Sequence, residues 1–205
     1  MAATDLLAFV RANLPPPPAR VLEVGAGDGS LARALADTGY EVLAIDPEPA
    51  GAAVHAVALH ELDEPAESFD AAVAITSLHH VEPLGDSLRR LAELLAPGGV
   101  VVIDEFDVGA FDERAAKWWL RQRHAIGGVE RASPEDLVGE HRAHLHTLER
   151  ILAALEPYFR VGMPLYGPYL YRWDLDESLR HNEEEAIISG EIPAAGARLL
   201  AASRG

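Results

Sequence analysis

The apolar residues of this chain come in short unbroken runs separated by stretches of helical spacing. Residues 21–24, 40–46, 69–75 and 100–103 carry the apolar content of parallel strands covered on both faces. A further strand is expected at residues 55–59, after a stretch too rich in Pro, Gly and Ala for a long helix. Between the strands, residues 31–36 are amphipathic, and residues 84–95 read as a helix stopped by Pro97-Gly98-Gly99. At the front, Thr4 is placed to cap a short helix carrying Leu6, Leu7, Phe9, Val10 and Leu14, which the four prolines at 15–18 then end. Strand and helix in alternation predict an α/β fold with a doubly wound, mostly parallel sheet.

The pattern changes after Gly109. Asp112 can cap a helix carrying Ala115, Trp118, Trp119 and Ile126 that ends at Gly127-Gly128. Ser133-Pro134-Glu135-Asp136 is a capping sequence, and one helix is expected to follow, with Leu137, His141, Leu145, Leu148, Leu152 and Leu155 on one stripe. Lying between the fifth and sixth strands, residues 108–157 should cover the mouth of the site as a helical lid. Residues 159–166 then read as a sixth strand, residues 179–189 as a helix and residues 198–202 as a last strand. The whole is expected to be one domain: 1–19 a helix and proline linker, 20–107 a core, 108–157 the lid and 158–205 the end of the sheet.

The chemistry centres on Glu23-Val24-Gly25-Ala26-Gly27-Asp28-Gly29-Ser30, where the first strand runs into three alternate glycines and a helix start. The spacing is G-x-G-x-G, with Ser30 where a dinucleotide fingerprint carries its third glycine. Glu23 and Asp28 beside the turn would repel a pyrophosphate and suit a ligand bearing a cation and hydroxyl donors. Asp46 ends the second strand, 21 residues past Gly25, where a carboxylate can accept from both hydroxyls of a ribose.

These residues resemble motif I and the acidic loop of the class I, seven-stranded, Rossmann-like S-adenosylmethionine (SAM)-dependent methyltransferases. Further resemblance lies in Ser77-Leu78-His79-His80-Val81, in Leu95-Ala96-Pro97-Gly98-Gly99 before a strand, and in the ending E-x-x-I-x-x-G-x-I-P-x-x-G from Glu184 to Gly196. The match covers roughly residues 20–107 and 158–204 and leaves the lid uncovered. It implies seven strands with an antiparallel last one, and SAM as cofactor with S-adenosylhomocysteine as product. It also implies that SAM is held by Glu23, Gly25, Ala26, Gly27, Asp46, Pro47, Glu61, Leu62, Thr76 and Ser77. In the family, the lid is the usual place for substrate recognition.

Composition narrows the partners. With 17 Lys and Arg against 33 Asp and Glu, the formal net charge is −16, which repels phosphate backbones and anionic lipids. A small-molecule acceptor is therefore expected, without nucleic acid or membrane partners, and the number of subunits is left open. The absence of cysteine excludes disulfides, thiolate zinc sites and cysteine nucleophiles. The apolar stretch at residues 6–10 is too short for a signal peptide or a membrane span, so a cytoplasmic protein is expected.

Methyl transfer to oxygen or nitrogen needs a nucleophile in line with the methyl group and often a base. His79 or His80, following the fourth strand, is the expected base, and adjacent residues point different ways, so one of them should face the substrate. His141 and His144, spaced i and i+3 on the lid, are expected to touch substrate, to act as base, or to ligate a metal with Asp104, Glu105 or His80. Substrate contact is the favoured use of the three, whereas His146 should lie on the polar surface. Trp118, Tyr166 and Tyr169 are the aromatic candidates for an acceptor pocket. The alternative is a protein that binds SAM without methylating: a cyclisation or rearrangement catalyst, or an inactive partner subunit.

Overall fold

The computed structural model of the chain describes residues 6–129 and 132–204, so the expected cap Thr4 lies outside the described residues. The five parallel strands are β1 (Arg20–Val24), β2 (Glu41–Asp46), β3 (His55–Ala56), β4 (Phe69–Ile75) and β5 (Leu95–Phe106). Three further strands complete one sheet: β6 (Phe159–Val161) and β7 (Leu165–Gly167) each pair antiparallel with β8 (Gly196–Ser203), which itself runs antiparallel to β5. Their order is β3-β2-β1-β4-β5-β8-β6, with β7 also pairing β8 beside β6. The chain leaves β1 toward β2 on one side and reaches β4 on the other, so a crevice opens beyond the carboxyl ends of these strands. Register closes it from both flanks, with Val24 opposite Ile45 of β2 and Ala74 of β4.

Helices cover both faces, as the parallel part of the sheet requires. On one face, α1 (Leu6–Asn13) and α2 (Ser30–Ala36) bury Val10, Leu14 and Leu35 against Val21, Ala71, Val73 and Val102. On the other, α3 (Leu84–Leu94) sends Leu84, Leu88, Leu91 and Leu94 onto Leu22, Ala72 and Val101. A separate cluster forms beyond the end of β5. There Phe106, Val108 and Phe111 meet α4 (Glu113–Ala125), α5 (Pro134–His144) and α7 (Arg180–Ile188) through Trp118, Trp119, Leu137, Tyr169 and Ala186. The indole N–H of Trp119 donates to the Trp173 carbonyl at 2.9 Å and ties α4 to the chain after β7.

Four expectations are corrected. The single lid helix to Leu155 is two: α5 stops at His144, and α6 (Leu148–Leu155) begins anew where the Thr147 hydroxyl accepts the N–H of Arg150. The break redirects the chain, so that Leu148, Ile151 and Leu155 join the core beside α3 while α5 stays in the cap. The strand expected at 159–166 divides into β6 and β7, because Gly162 leaves the first pairing at Leu200 and β7 restarts opposite Arg198. The strand at 55–59 is two residues long, since Leu59–Glu61 turns into a 3₁₀ helix. Lastly, Pro97-Gly98-Gly99 lies within β5, which pairs Leu95 with Phe69 and shifts register before Val100, Gly98 adopting a φ of +80°.

Candidate functional site

Two cavities meet at the carboxyl ends of β1, β2 and β4. The first, about 610 Å³, is bounded by Gly25, Asp46, Pro47, Glu48, Ala58, Thr76, Ser77, His80 and Ser87, among others. Its floor is the glycine turn. Gly25 has a φ of +71°, and a Cβ there would land on the Ser77 side chain. Gly27, at a φ of +53°, has open space where a Cβ would stand. Asp46 fixes the rim: one carboxylate oxygen accepts from the N–H of Gly27 and the other from that of Glu48, each at 2.9 Å.

Unpaired polar atoms occur here. Ser77 Oγ and Ser87 Oγ on the cavity wall, and Glu23 Oε2 at the end of β1, are buried without a hydrogen-bond partner. Such groups are costly to leave unmade. Burial pushes the Glu23 carboxyl up to about 7, against the backbone N–H of Ala32, which favours the ionised form. Asp28, by contrast, faces solvent beside Arg33 and is held below the usual carboxylate range by Ser30. A glycine cradle that a Cβ would fill, a rim carboxylate with lone pairs to spare and orphaned hydroxyls fit a ribose-bearing ligand with a cationic end. That is the chemistry of SAM.

Among the residues expected to hold cofactor, Gly25, Asp46, Pro47, Thr76 and Ser77 border this cavity. Gly27 serves it through Asp46, and Ala26 packs behind the turn with Ala44 and Val54. Glu61 and Leu62 are not brought to it. Leu62 is buried in the core, with its carbonyl accepting from Arg90, and Val57, Ala58 and Leu59 take the wall instead.

The second cavity, about 450 Å³, lies under the cap between Thr76, His79, His80, His141, His144, Tyr169, Arg172 and Trp173, among others. Thr76 and His80 border both cavities. Thr76 sits in the left-handed region at a φ of +56°, a costly place for a β-branched residue. Its N–H donates to the Asp104 carbonyl at 2.7 Å, which holds it there.

The adjacent histidines have different surroundings. His79 is 3% exposed, and its Nδ1 lies 2.5 Å from a carboxylate oxygen of Glu105, itself fully buried. Glu105 also accepts the N–H groups of Ser77, Leu78 and Phe106, so one carboxylate fixes the turn after β4 and the orientation of a ring. His80 is exposed to both cavities, with its ring centre 4.3 Å from that of His79. Burial and the neighbouring His79 hold its pKa below the usual imidazole value, so at neutral pH its ring is a free base.

His141 enters the cap cavity from α5. Its Nδ1 donates to the Leu137 carbonyl at 2.7 Å, leaving the other nitrogen as an acceptor, and its ring stacks on Trp173 with centres 4.9 Å apart. Tyr169 is 1% exposed, and burial pushes its phenol up to about 12, so it stays protonated. Trp118 is packed in the cap core, and Tyr166 is 60% exposed away from this cavity, so neither joins His141 and His144. His146 is not a surface residue. It is 5% exposed, and its Nε2 donates to the Val81 carbonyl at 3.0 Å near Glu82.

The metal arrangement considered for the lid histidines is not formed. Among the described residues no three His, Cys, Asp or Glu side chains gather as a metal would need. Asp104 is instead paired with Arg172 and Arg198, and Glu105 with His79. Sequence reasoning missed Arg172, Trp173 and the organising role of Glu105. The only signal for Glu105 was an acid at the buried end of an apolar strand.

Comparison with known proteins places this geometry in a family. A family model described as a methyltransferase domain matches residues 2–156. A ubiquinone biosynthesis O-methyltransferase of Bradyrhizobium diazoefficiens is 27% identical over 186 residues, which cover 80% of this chain and 68% of that protein. An uncharacterized methyltransferase of Mycobacterium tuberculosis is 33% identical over 175 residues, covering 75% of this chain and 85% of its own. A solved SAM-dependent methyltransferase from Mesorhizobium loti shares the fold, with a TM-score of 0.63 over 98% of both chains at 20% identity.

Proposed function

The chain belongs to the methyltransferase-domain family and is a SAM-dependent methyltransferase, and we propose that it methylates an oxygen or nitrogen of a small molecule held under the cap, with His80 as general base. The observation that carries this reading is the meeting of the two cavities at Thr76 and His80. SAM supplies an activated methyl carbon. Gly25 would let it approach the backbone, Asp46 would accept from its ribose hydroxyls, Ser77 and Ser87 would offer their hydroxyls, and Glu23 would take its ammonium end. The acceptor lies between His80, His141 and Tyr169, with its reacting atom at the opening between the cavities.

Neutral at pH 7, His80 takes the proton that the acceptor loses, while the cap keeps water from the reaction. His79 touches neither cofactor nor proton transfer in this scheme. It is a positioning residue that, with Glu105, keeps His80 on the shared wall. The relative named for ubiquinone biosynthesis makes an oxygen acceptor the first class to screen.

His80→Gln tests this reading. Methyl transfer to an acceptor found by screening should fall 10²- to 10⁴-fold, the usual worth of a positioned base, with S-adenosylhomocysteine affinity within about threefold of wild type. Undiminished turnover would refute His80 as base. Turnover by the wild-type protein without release of S-adenosylhomocysteine would leave the non-methylating alternative in its place.

A further inference from the structure

The cap cavity is built twice over by the same device. After β4, Ser77 (φ −132°, ψ −39°) opens a 3₁₀ turn, Leu78–His80. After β7, Tyr169 (φ −145°, ψ −37°) opens another, Leu170–Arg172. In the first, Glu105 takes the N–H groups of Ser77 and Leu78 on one oxygen, at 2.9 and 2.5 Å. In the second, the fully buried Glu183 of α7 takes those of Tyr169 and Leu170 on one oxygen, at 2.7 and 2.9 Å, and that of Tyr171 on the other at 2.8 Å. The two turns correspond residue by residue, Ser77-Leu78-His79-His80 with Tyr169-Leu170-Tyr171-Arg172, so His80 and Arg172 hold equivalent places in their turns and line one cavity.

Burying a carboxylate is expensive unless its hydrogen bonds are complete. Three backbone N–H groups converging on Glu183 offset part of that cost and fix the loop, although burial still holds its carboxyl above the usual range. Without the carboxylate those three donors would be buried and unpaired. The loop carries into the cavity the Tyr169 phenol, the Arg172 guanidinium and the Trp173 ring that stacks on His141. Arg172 donates from two nitrogens to Asp104, at 2.7 and 3.2 Å, and from Nε to the Tyr171 hydroxyl at 3.2 Å, which leaves one N–H on each terminal nitrogen to offer.

We infer that Glu183 is a positioning residue of the acceptor site: a buried carboxylate that touches no ligand yet sets Tyr169, Arg172 and Trp173 against the acceptor, as Glu105 sets His80. The inference rests on reading the cap cavity as the acceptor site. It assigns acceptor selectivity to α7, an element outside the cavity wall.

The test uses the full-length protein and two variants. Glu183→Gln keeps one acceptor oxygen but turns a donor toward the Tyr171 N–H, and Glu183→Asp keeps the charge on a shorter stem. The first readout is amide exchange. In Glu183→Gln the N–H groups of Tyr169, Leu170 and Tyr171 should exchange at least tenfold faster, those of Ser77 and Leu78 should not change, and Glu183→Asp should fall between. The second readout is binding of S-adenosylhomocysteine, which should stay within twofold in both variants. The third is ligand-observed NMR with monocyclic phenols, anilines and benzoates in the presence of S-adenosylhomocysteine. Fragments that bind the wild type should weaken at least fivefold in Glu183→Gln and recover in part in Glu183→Asp.

Unchanged exchange at Tyr169–Tyr171, or fragment binding that ignores Glu183→Gln while Trp173→Ala abolishes it, would overturn the role given to Glu183. If Trp173→Ala left fragment binding untouched, the acceptor site itself would be misplaced, and the inference would fall with it. If Glu183→Gln lost S-adenosylhomocysteine binding along with the fragments, Glu183 would be supporting the whole fold rather than the acceptor wall.

Discussion

The two cavities are built by different means. The cofactor side is mostly local: a strand, three glycines and a helix start within residues 20–36, finished by one carboxylate at the end of the neighbouring strand. The cap side is assembled at a distance. His80 arrives after β4, His141 on α5 and Arg172 after β7, and the buried glutamates that hold two of these groups come from other elements, 26 and 13 positions away in the cases of His79 and Leu170. A locally built site depends on a few backbone conformations, whereas one assembled from distant pieces depends on carboxylates that never touch the ligand.

That contrast is sharpest at Gly25. Gly25→Val places a branched side chain at a φ of +71° and on top of Ser77, so S-adenosylhomocysteine affinity should fall more than 100-fold, about 2.7 kcal/mol. Calorimetric titration checks this. Retained affinity would mean that the turn is not the cofactor floor, and the contrast would lose its first term.

An effect of the opposite sign, on stability rather than on affinity, is expected at Glu23. Its carboxyl is raised from 4.5 to about 7 in the folded chain, so the folded state holds this proton more tightly than the unfolded one. The stabilisation is complete below pH 4.5 and is lost as pH rises through about 7. Glu23→Gln has no proton to lose. Relative to wild type it should gain stability between pH 5 and pH 8, by up to about 3 kcal/mol, while binding S-adenosylhomocysteine more weakly. Urea unfolding at the two pH values measures the gain. An identical pH dependence in both proteins would show that Glu23 is not an acid raised by burial.

The same contrast explains what was legible in the sequence. Gly25, Asp46 and the unbroken apolar runs carry their meaning locally, because a positive φ, a strand-end carboxylate and a two-faced strand each leave a pattern within a few residues. The α/β fold class followed from them. The single helix drawn through Leu145 and Leu148 failed because an apolar stripe gives no notice that Thr147 will cap a second helix or that His146 will be drawn under Val81. Glu61 and Leu62 stand off the cavity wall because the chain turns into a 3₁₀ helix two residues after a very short strand. Trp118 and Tyr166 show that an aromatic in the cap can pack in its core or lie outside, with equal apolar character. Glu183, within a run of three acids, had no local mark at all: what sets it apart is three N–H groups some 12 to 14 residues away.

The central claim is that cofactor and acceptor meet at Thr76 and His80, and a crystal structure of the S-adenosylhomocysteine complex tests it most directly. The ribose hydroxyls are expected at Asp46, the amino-acid end over Gly25 toward Glu23, and the sulfur facing the opening between Thr76 and His80. A ligand bound elsewhere, or one whose sulfur turns away from that opening, would contradict it.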